Sequence, residues 1–212
     1  MAITESILFK KIKGRVGNLV FYTVKDQIRM RELPTDQKDP KTPKQIAHRM
    51  KVKGVAALYN DLSMQLLEYW KQLPQDTVYS GYNLFVSANI HNLDGEGQII
   101  DMDHLQICNG RLPLPEAINS GITPQRTIAI TWENDPDNNY RSMYNLLRIA
   151  VYTPEKNKAP RIYILEETKV RRSDKTYEYP IPDEVGQTAH FFLFFKDHLN
   201  NEVTPSYYLG SI

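Results

Sequence analysis

The run HFFLFFK, His190 to Lys196, sets the tightest limit on what this chain can fold into. A strand with one face in water alternates apolar and polar residues, and five successive large apolar side chains, Phe191 to Phe195, abandon that alternation. The segment therefore reads as a central strand buried on both faces. Six further stretches read as strands around it: HLQIC, TIAITW, YNLLRIAVYT, RIYILEE, KTYEYPI and SYYLGS, separated by Pro, Asn, Asp and Gly clusters. Seven short strands in residues 104–212 predict an immunoglobulin- or fibronectin-III-like β-sandwich, without the cysteine pair of antibody domains and with Trp132 as an aromatic centre of its core. Thirteen tyrosines fit a β-rich protein.

Residues 1–95 follow a different pattern. NLVFYTV and QIRMREL, with Lys25 and Asp26 between them, predict a β-hairpin. The period of two puts Ile28, Met30 and Glu32 on one face and Arg29 and Arg31 on the other. After a polar connector, Thr42, Pro43 and Gln45 form a helix-start signal, T-P-x-Q, and predict a helix over about 43–59 with Ile46, Met50, Ala57 and Leu58 as its apolar stripe. Ser63 caps a second expected helix, MQLLEYWKQL, and GYNLFVSANIHNL supplies a third. The expected fold class is α+β: a basic hairpin and helical domain over 1–95, then the seven-stranded sandwich over 104–212.

Charge separates the same halves. Residues 1–92 hold 14 Lys/Arg against 8 Asp/Glu, a balance of +6, whereas residues 93–212 hold 12 against 17, a balance of −5. The start MAITESILFKKIKGR places a short apolar run before its cations, the reverse of a secretory signal. No stretch approaches the roughly 18 apolar residues of a membrane helix, and the single cysteine, Cys108, has no partner for an internal disulfide. The expected location is the cytoplasm, or a phage-type particle, with no membrane association.

The words GRVGNLVFY, an arginine-bearing second strand and TPKQIAHRMK resemble a family of uncharacterised bacterial proteins of about this length, common in gut-associated bacteria and classed as a domain of unknown function. Gln45 with Arg49, Leu62–Ser63 with Trp70, and Gly81, Asn83 and Phe85 resemble related patterns in proteins of phages and mobile elements. ITWEND, LRIAVYTPE, HFFLFFKD and PSYYLGSI resemble the sandwich half of the same family. The hairpin break is a departure, because Lys25, Asp26 and Gln27 stand where the family's pattern carries glycine. The resemblance covers nearly the whole chain and is specific for the family, not for a function.

The strongest candidate site is the basic N-terminal element, where Lys10, Lys11, Lys13, Arg15, Lys25, Arg29 and Arg31 interleave with Phe21 and Tyr22. Cations beside stacking rings suit a phosphate backbone, and equally a solvated hairpin whose charges protect an edge. Gln45 and Arg49, at i and i+4, emerge together and suit a phosphate, a partner carboxylate or an anchor to a neighbouring loop. The tentative nucleic-acid or partner-binding set is thus Lys13, Arg15, Tyr22, Lys25, Arg29, Arg31, Gln45 and Arg49.

Catalytic and metal candidates are poor. DMDHL (Asp101, Asp103, His104) crowds its ligand types into four residues, ENDPDNN (Glu133, Asp135, Asp137) matches a solvated turn as well as a calcium loop, and His190 reads as a strand-edge residue. No nucleophile elbow or phosphate loop is present. Tyr163, Tyr177, Tyr179, Tyr207 and Tyr208 divide between a sandwich core and an exposed contact surface. The expectation is a protein that is not an enzyme and that has no cofactor, no metal and no evident small-molecule substrate. It acts through a protein partner or self-association, with a nucleic-acid-binding protein as the alternative and an enzyme of unknown reaction as the third.

Overall fold

The computed structural model describes residues 2–3, 13–24, 27–34, 39–73, 78–134, 140–154 and 161–212. They form a mixed α+β protein with three antiparallel sheets, divided into two compact units: Met1–Thr42 with Asp76–Val78, and Pro43–Gln75 with Tyr79–Ile212. The division falls at residue 42 and not near residue 95, where the sequence pattern changes, because the helices bury their apolar sides against a sheet of the C-terminal half.

The first unit is a sheet. Strands β1 (Ala2–Ile3), β2 (Gly14–Val16), β3 (Leu19–Val24) and β4 (Gln27–Glu32) lie in the order β1-β4-β3-β2. Four strands stand where the sequence suggested two. The register pairs Tyr22 with Arg29 and Val20 with Arg31, so the alternation read from the sequence holds across the sheet.

The second unit has three layers. Helices α1 (Pro43–Asn60), α2 (Met64–Gln72) and α3 (Gly81–Asn89) cover one face of the sheet β11-β10-β7-β8, made of Tyr207–Ser211, His190–Lys196, Leu146–Tyr152 and Ile162–Arg171. The other face packs on the sheet β5-β6-β9, made of Ala117–Ile122, Thr127–Glu133 and Thr176–Pro180. Strand β10 explains the arrangement. Phe192 and Phe194 enter the core shared with Trp70, Phe85 and Leu66 of the helices, while Phe191, Leu193 and Phe195 enter the core shared with Ile128, Ile130 and Trp132 of β6. Each buried phenylalanine contributes about 1.5–3 kcal/mol of transfer free energy, so a strand of this composition is stable only with a layer on each side.

Several expectations change in detail. HLQIC is not a strand: its backbone is held by side chains from three directions. Asn89 of α3 accepts from the Gln106 amide (2.8 Å) and donates to its carbonyl (3.0 Å), the Trp70 indole donates to the Ile107 carbonyl (3.0 Å), and Ser206 Oγ accepts from the Ile107 amide (3.1 Å). The strand that precedes β6 is instead Ala117–Ile122, whose residues AINSGI carry little strand propensity and which lies at a sheet edge. On α1 the buried residues are Val55 and Leu58, and Ile46 and Met50 remain 48% and 36% exposed. Ser63 precedes α2 but makes no side-chain cap; its amide donates to the Ile162 carbonyl (2.7 Å), which ties the α1–α2 junction to the start of β8.

Candidate functional site

Residues directly opposite in an antiparallel pair project from the same face. The pairings Arg15 with Val20, Val20 with Arg31, and Tyr22 with Arg29 therefore place Arg15, Arg29, Arg31 and Tyr22 on one face of the N-terminal sheet. Val16, Leu19, Phe21, Ile28 and Met30 occupy the opposite face. The sheet is amphipathic, with a basic aromatic side that also carries Val20 and a mainly apolar side that also carries Thr23 and Glu32. None of the described side chains of β2, β3 or β4 is buried, and Val16 is 64% exposed. Arg15 Nε donates to the Gly17 carbonyl (2.8 Å) and Arg29 Nη2 to Gln27 Oε1 (3.3 Å), so local contacts orient two of the three cations.

The rest of the expected set lies elsewhere. Lys13 is exposed just before β2; Lys10, Lys11 and Lys25 lie outside the described residues. Gln45 and Arg49 are exposed on the first turns of α1, in the second unit, so the register that gathers the arginines of the sheet does not include them.

A second site, not anticipated from the sequence, lies where the helices stop short of the His190 end of the four-stranded sheet. Here α1, the turn 94–99 and the ends of β7, β8 and β10 enclose a cleft of about 610 Å³. The turn is built by Asp94, whose Oδ1 accepts from the amides of Gln98 (2.8 Å) and Glu96 (2.9 Å); these bonds hold its carboxyl below the usual carboxylate range. α1 approaches the turn at Gly54, where a Cβ would strike the Gly97 carbonyl and a Leu93 methyl. Gly97, at φ +82°, sits equally close to the Met50 carbonyl. Two glycines thus let the helix and turn meet closely enough to form one wall.

The other wall is polar and aromatic. The His190 ring stacks on Tyr152 (5.9 Å between centroids, 22° between planes), and its Nδ1 lies 3.0 Å from the Tyr208 hydroxyl. Burial pushes the His190 pKa down and the Tyr152 pKa up, so both side chains are neutral near pH 7. Arg161, one residue before β8, forms an ion pair with Asp61 at the end of α1, and that hydrogen bond raises the guanidinium pKa further. Lys53 of α1 and Glu96 of the turn complete the charged lining.

The remaining candidates serve structure. His104 Nδ1 pairs with Asp101 Oδ2 (2.8 Å) in an exposed turn whose amide also donates to Asp101 (3.1 Å); the carboxylate raises the His104 pKa, and the imidazole lowers that of Asp101. Asp103 is exposed beside them. Asp135 and Asp137 lie outside the described residues, and among the described ones no three His, Cys, Asp or Glu side chains gather closely enough to hold a metal ion. Burial pushes the Cys108 thiol well up, which leaves it protonated and unreactive. Tyr179 is buried, whereas Tyr207 is exposed and donates to the Ile118 carbonyl (3.2 Å). No helix among the described residues is long and apolar enough to cross a membrane.

Sequence reasoning missed the cleft because its charged pair, Asp61 and Arg161, is 100 residues apart, and because His190 carries no motif. Its one legible signal was a polar side chain heading an otherwise apolar strand. Comparisons with protein-family models, curated proteins and solved structures find no match to the chain.

Proposed function

We propose that this is a non-catalytic assembly or binding protein that acts through protein–protein contacts made by its N-terminal sheet. The carrying observation is the apolar face of that sheet, Val16, Leu19, Phe21, Ile28 and Met30, together with the absence of any buried side chain among the described residues of β2, β3 and β4. Short strands need an apolar face covered to be stable, and a half-exposed face of this size marks a contact surface. A protein partner or a second copy of the chain supplies the cover. The reading extends to the origin that the sequence resemblance implies, a bacterial family related to phage and mobile-element proteins, and to a location in the cytoplasm or in a phage-type particle.

For the second unit we infer a fibronectin-III-like sandwich. The distribution of its seven strands supports this: first, second and fifth in one sheet, third, fourth, sixth and seventh in the other, around one core centred on Trp132 and Phe195. Such a sandwich is a rigid carrier and does not itself specify a function.

A second reading is favoured by the other face of the N-terminal sheet. Arg15, Arg29 and Arg31 beside Tyr22 are the combination that binds phosphates and stacks bases. Light scattering across a salt series, with and without a DNA duplex, separates the two. The assembly reading expects association without DNA that Val16→Glu with Leu19→Glu abolishes. Nucleic-acid binding expects a mass increase that requires DNA, falls with a log–log salt slope of about −3 for three phosphate contacts, and flattens when Arg29 and Arg31 are removed. A monomer indifferent to DNA and to salt would overturn both.

A further inference from the structure

We propose that the cleft between α1, the turn 94–99 and the His190 end of the four-stranded sheet is a binding site for a small carboxylate with a planar apolar body. Its volume, about 610 Å³, lies within the range of pockets that take up small molecules. Its lining combines apolar residues, Met50, Leu58, Ile99 and Met102, with a comparable share of polar surface from groups on separate elements.

The stacked Tyr152 and His190 rings form a flat platform at one side, against which a second ring gains offset-stacking or edge contacts. Two cations reach the cleft from different elements, Lys53 from α1 and Arg161 from the start of β8, against one carboxylate, Glu96, on the exposed turn. Asp61 fixes one side of the Arg161 guanidinium, which orients the remaining N–H groups before any ligand arrives. Lys53 makes no ion pair with any described residue. Asp61 balances Arg161 and Glu96 stands on the exposed turn, so the anion-selecting groups are the Lys53 ammonium and the guanidinium N–H groups that Asp61 leaves over, set beside an aromatic surface that takes a planar body. In the tautomer in which the Tyr208 hydroxyl donates to Nδ1, the neutral His190 ring has its Nε2–H to donate to a ligand oxygen.

The test uses the full chain with isotope-labelled histidine, titrated with benzoate, phenylacetate and indole-3-acetate and with their neutral amides. The expected result is a saturable shift of the His190 resonances with at least one carboxylate, and weaker binding of the matching amide by about tenfold, the worth of one charge-assisted hydrogen bond. Lys53→Gln, an exposed substitution, should weaken the carboxylate by a similar factor and leave the amide unchanged. Ala57→Trp, which fills the cleft from α1, should abolish both while the resonances of the Phe191–Phe195 core stay in place. Equal binding of acid and amide, no loss in Lys53→Gln, or no His190 shift at millimolar ligand would each overturn the proposal.

Discussion

Arg172 shows how a single side chain can hold loops together in this fold. It is fully buried, with Nε donating to Asn134 Oδ1 (2.9 Å), Nη1 to the Pro113 carbonyl (2.6 Å), and the guanidinium 5.8 Å from the Phe195 ring centroid. Its own carbonyl accepts from the Trp132 indole (2.7 Å), a bond that survives substitution because it involves backbone. Arg172→Met keeps much of the stem but leaves two part-buried acceptors without their donor, so we expect a loss of about 1–3 kcal/mol, measured as a lowered urea midpoint at unchanged slope. Lysine should not rescue it, because an ammonium does not reproduce the fork that serves two acceptors. His190 gives a second residue-scale prediction. Its ring contacts Tyr152 and Tyr208; Lys53, Arg161 and Glu96 line the same cleft, and burial lowers its pKa below the ordinary 6.5. A depressed histidine pKa means that the unfolded chain binds more protons between the two values. The associated stability is therefore present above about pH 6.5 and lost as pH falls from there toward the folded pKa. Unfolding free energy measured from pH 8 to pH 5 should decline in that window, and His190→Gln should remove that part of the decline.

Among the elements, the strands of the C-terminal half were the most legible and the helix surfaces the least. HFFLFF declared its two-sided burial because no polar residue interrupts it, and TIAITW, YNLLRIAVYT, RIYILEE, KTYEYPI and SYYLGS each fall on an observed strand. HLQIC failed because an apolar alternation says nothing about which groups satisfy the backbone, and here Asn89, Trp70 and Ser206 do so from outside. The expected stripe of α1 failed for a related reason: spacing does not say which part of the helix meets the core, and only Val55 and Leu58 are buried while Ile46, Met50 and Ala57 are exposed. The contact between Gly54 and Gly97 marks where the cleft wall begins. A Cβ at Gly54 would meet backbone of the turn, which has little room to yield. Gly54→Ala should cost about 1–3 kcal/mol by overpacking, despite the better helix propensity of alanine, and thermal melting of the variant checks it.

At the scale of the whole molecule, the two units differ in how much of their stability is their own. Pro43–Gln75 with Tyr79–Ile212 contains both apolar cores, one on each face of the four-stranded sheet, and every buried apolar residue of the described chain belongs to it. The N-terminal sheet has none among the described side chains of β2, β3 and β4. Its charge and alternation were visible in the sequence, since Arg29 and Arg31 two apart must share a face. That Arg15 joins them was not, because it depends on a third strand whose three residues, GRV, show no pattern. The partner that would cover the apolar side is also beyond one chain's sequence. This imbalance makes a definite prediction for two fragments. A protein of residues 43–212 should unfold cooperatively with a midpoint close to that of the full chain, because it retains both cores. A peptide of residues 1–42 should show no strand signal by circular dichroism in isolation, since a small sheet whose described apolar side chains are at most partly buried cannot offset the entropy of ordering its backbone. If the assembly reading holds, that peptide sequence gains structure only when its apolar face is covered, so 43–212 should lose the association measured for the full chain while keeping its fold. A folded but still self-associating 43–212 would move the contact surface to the second unit.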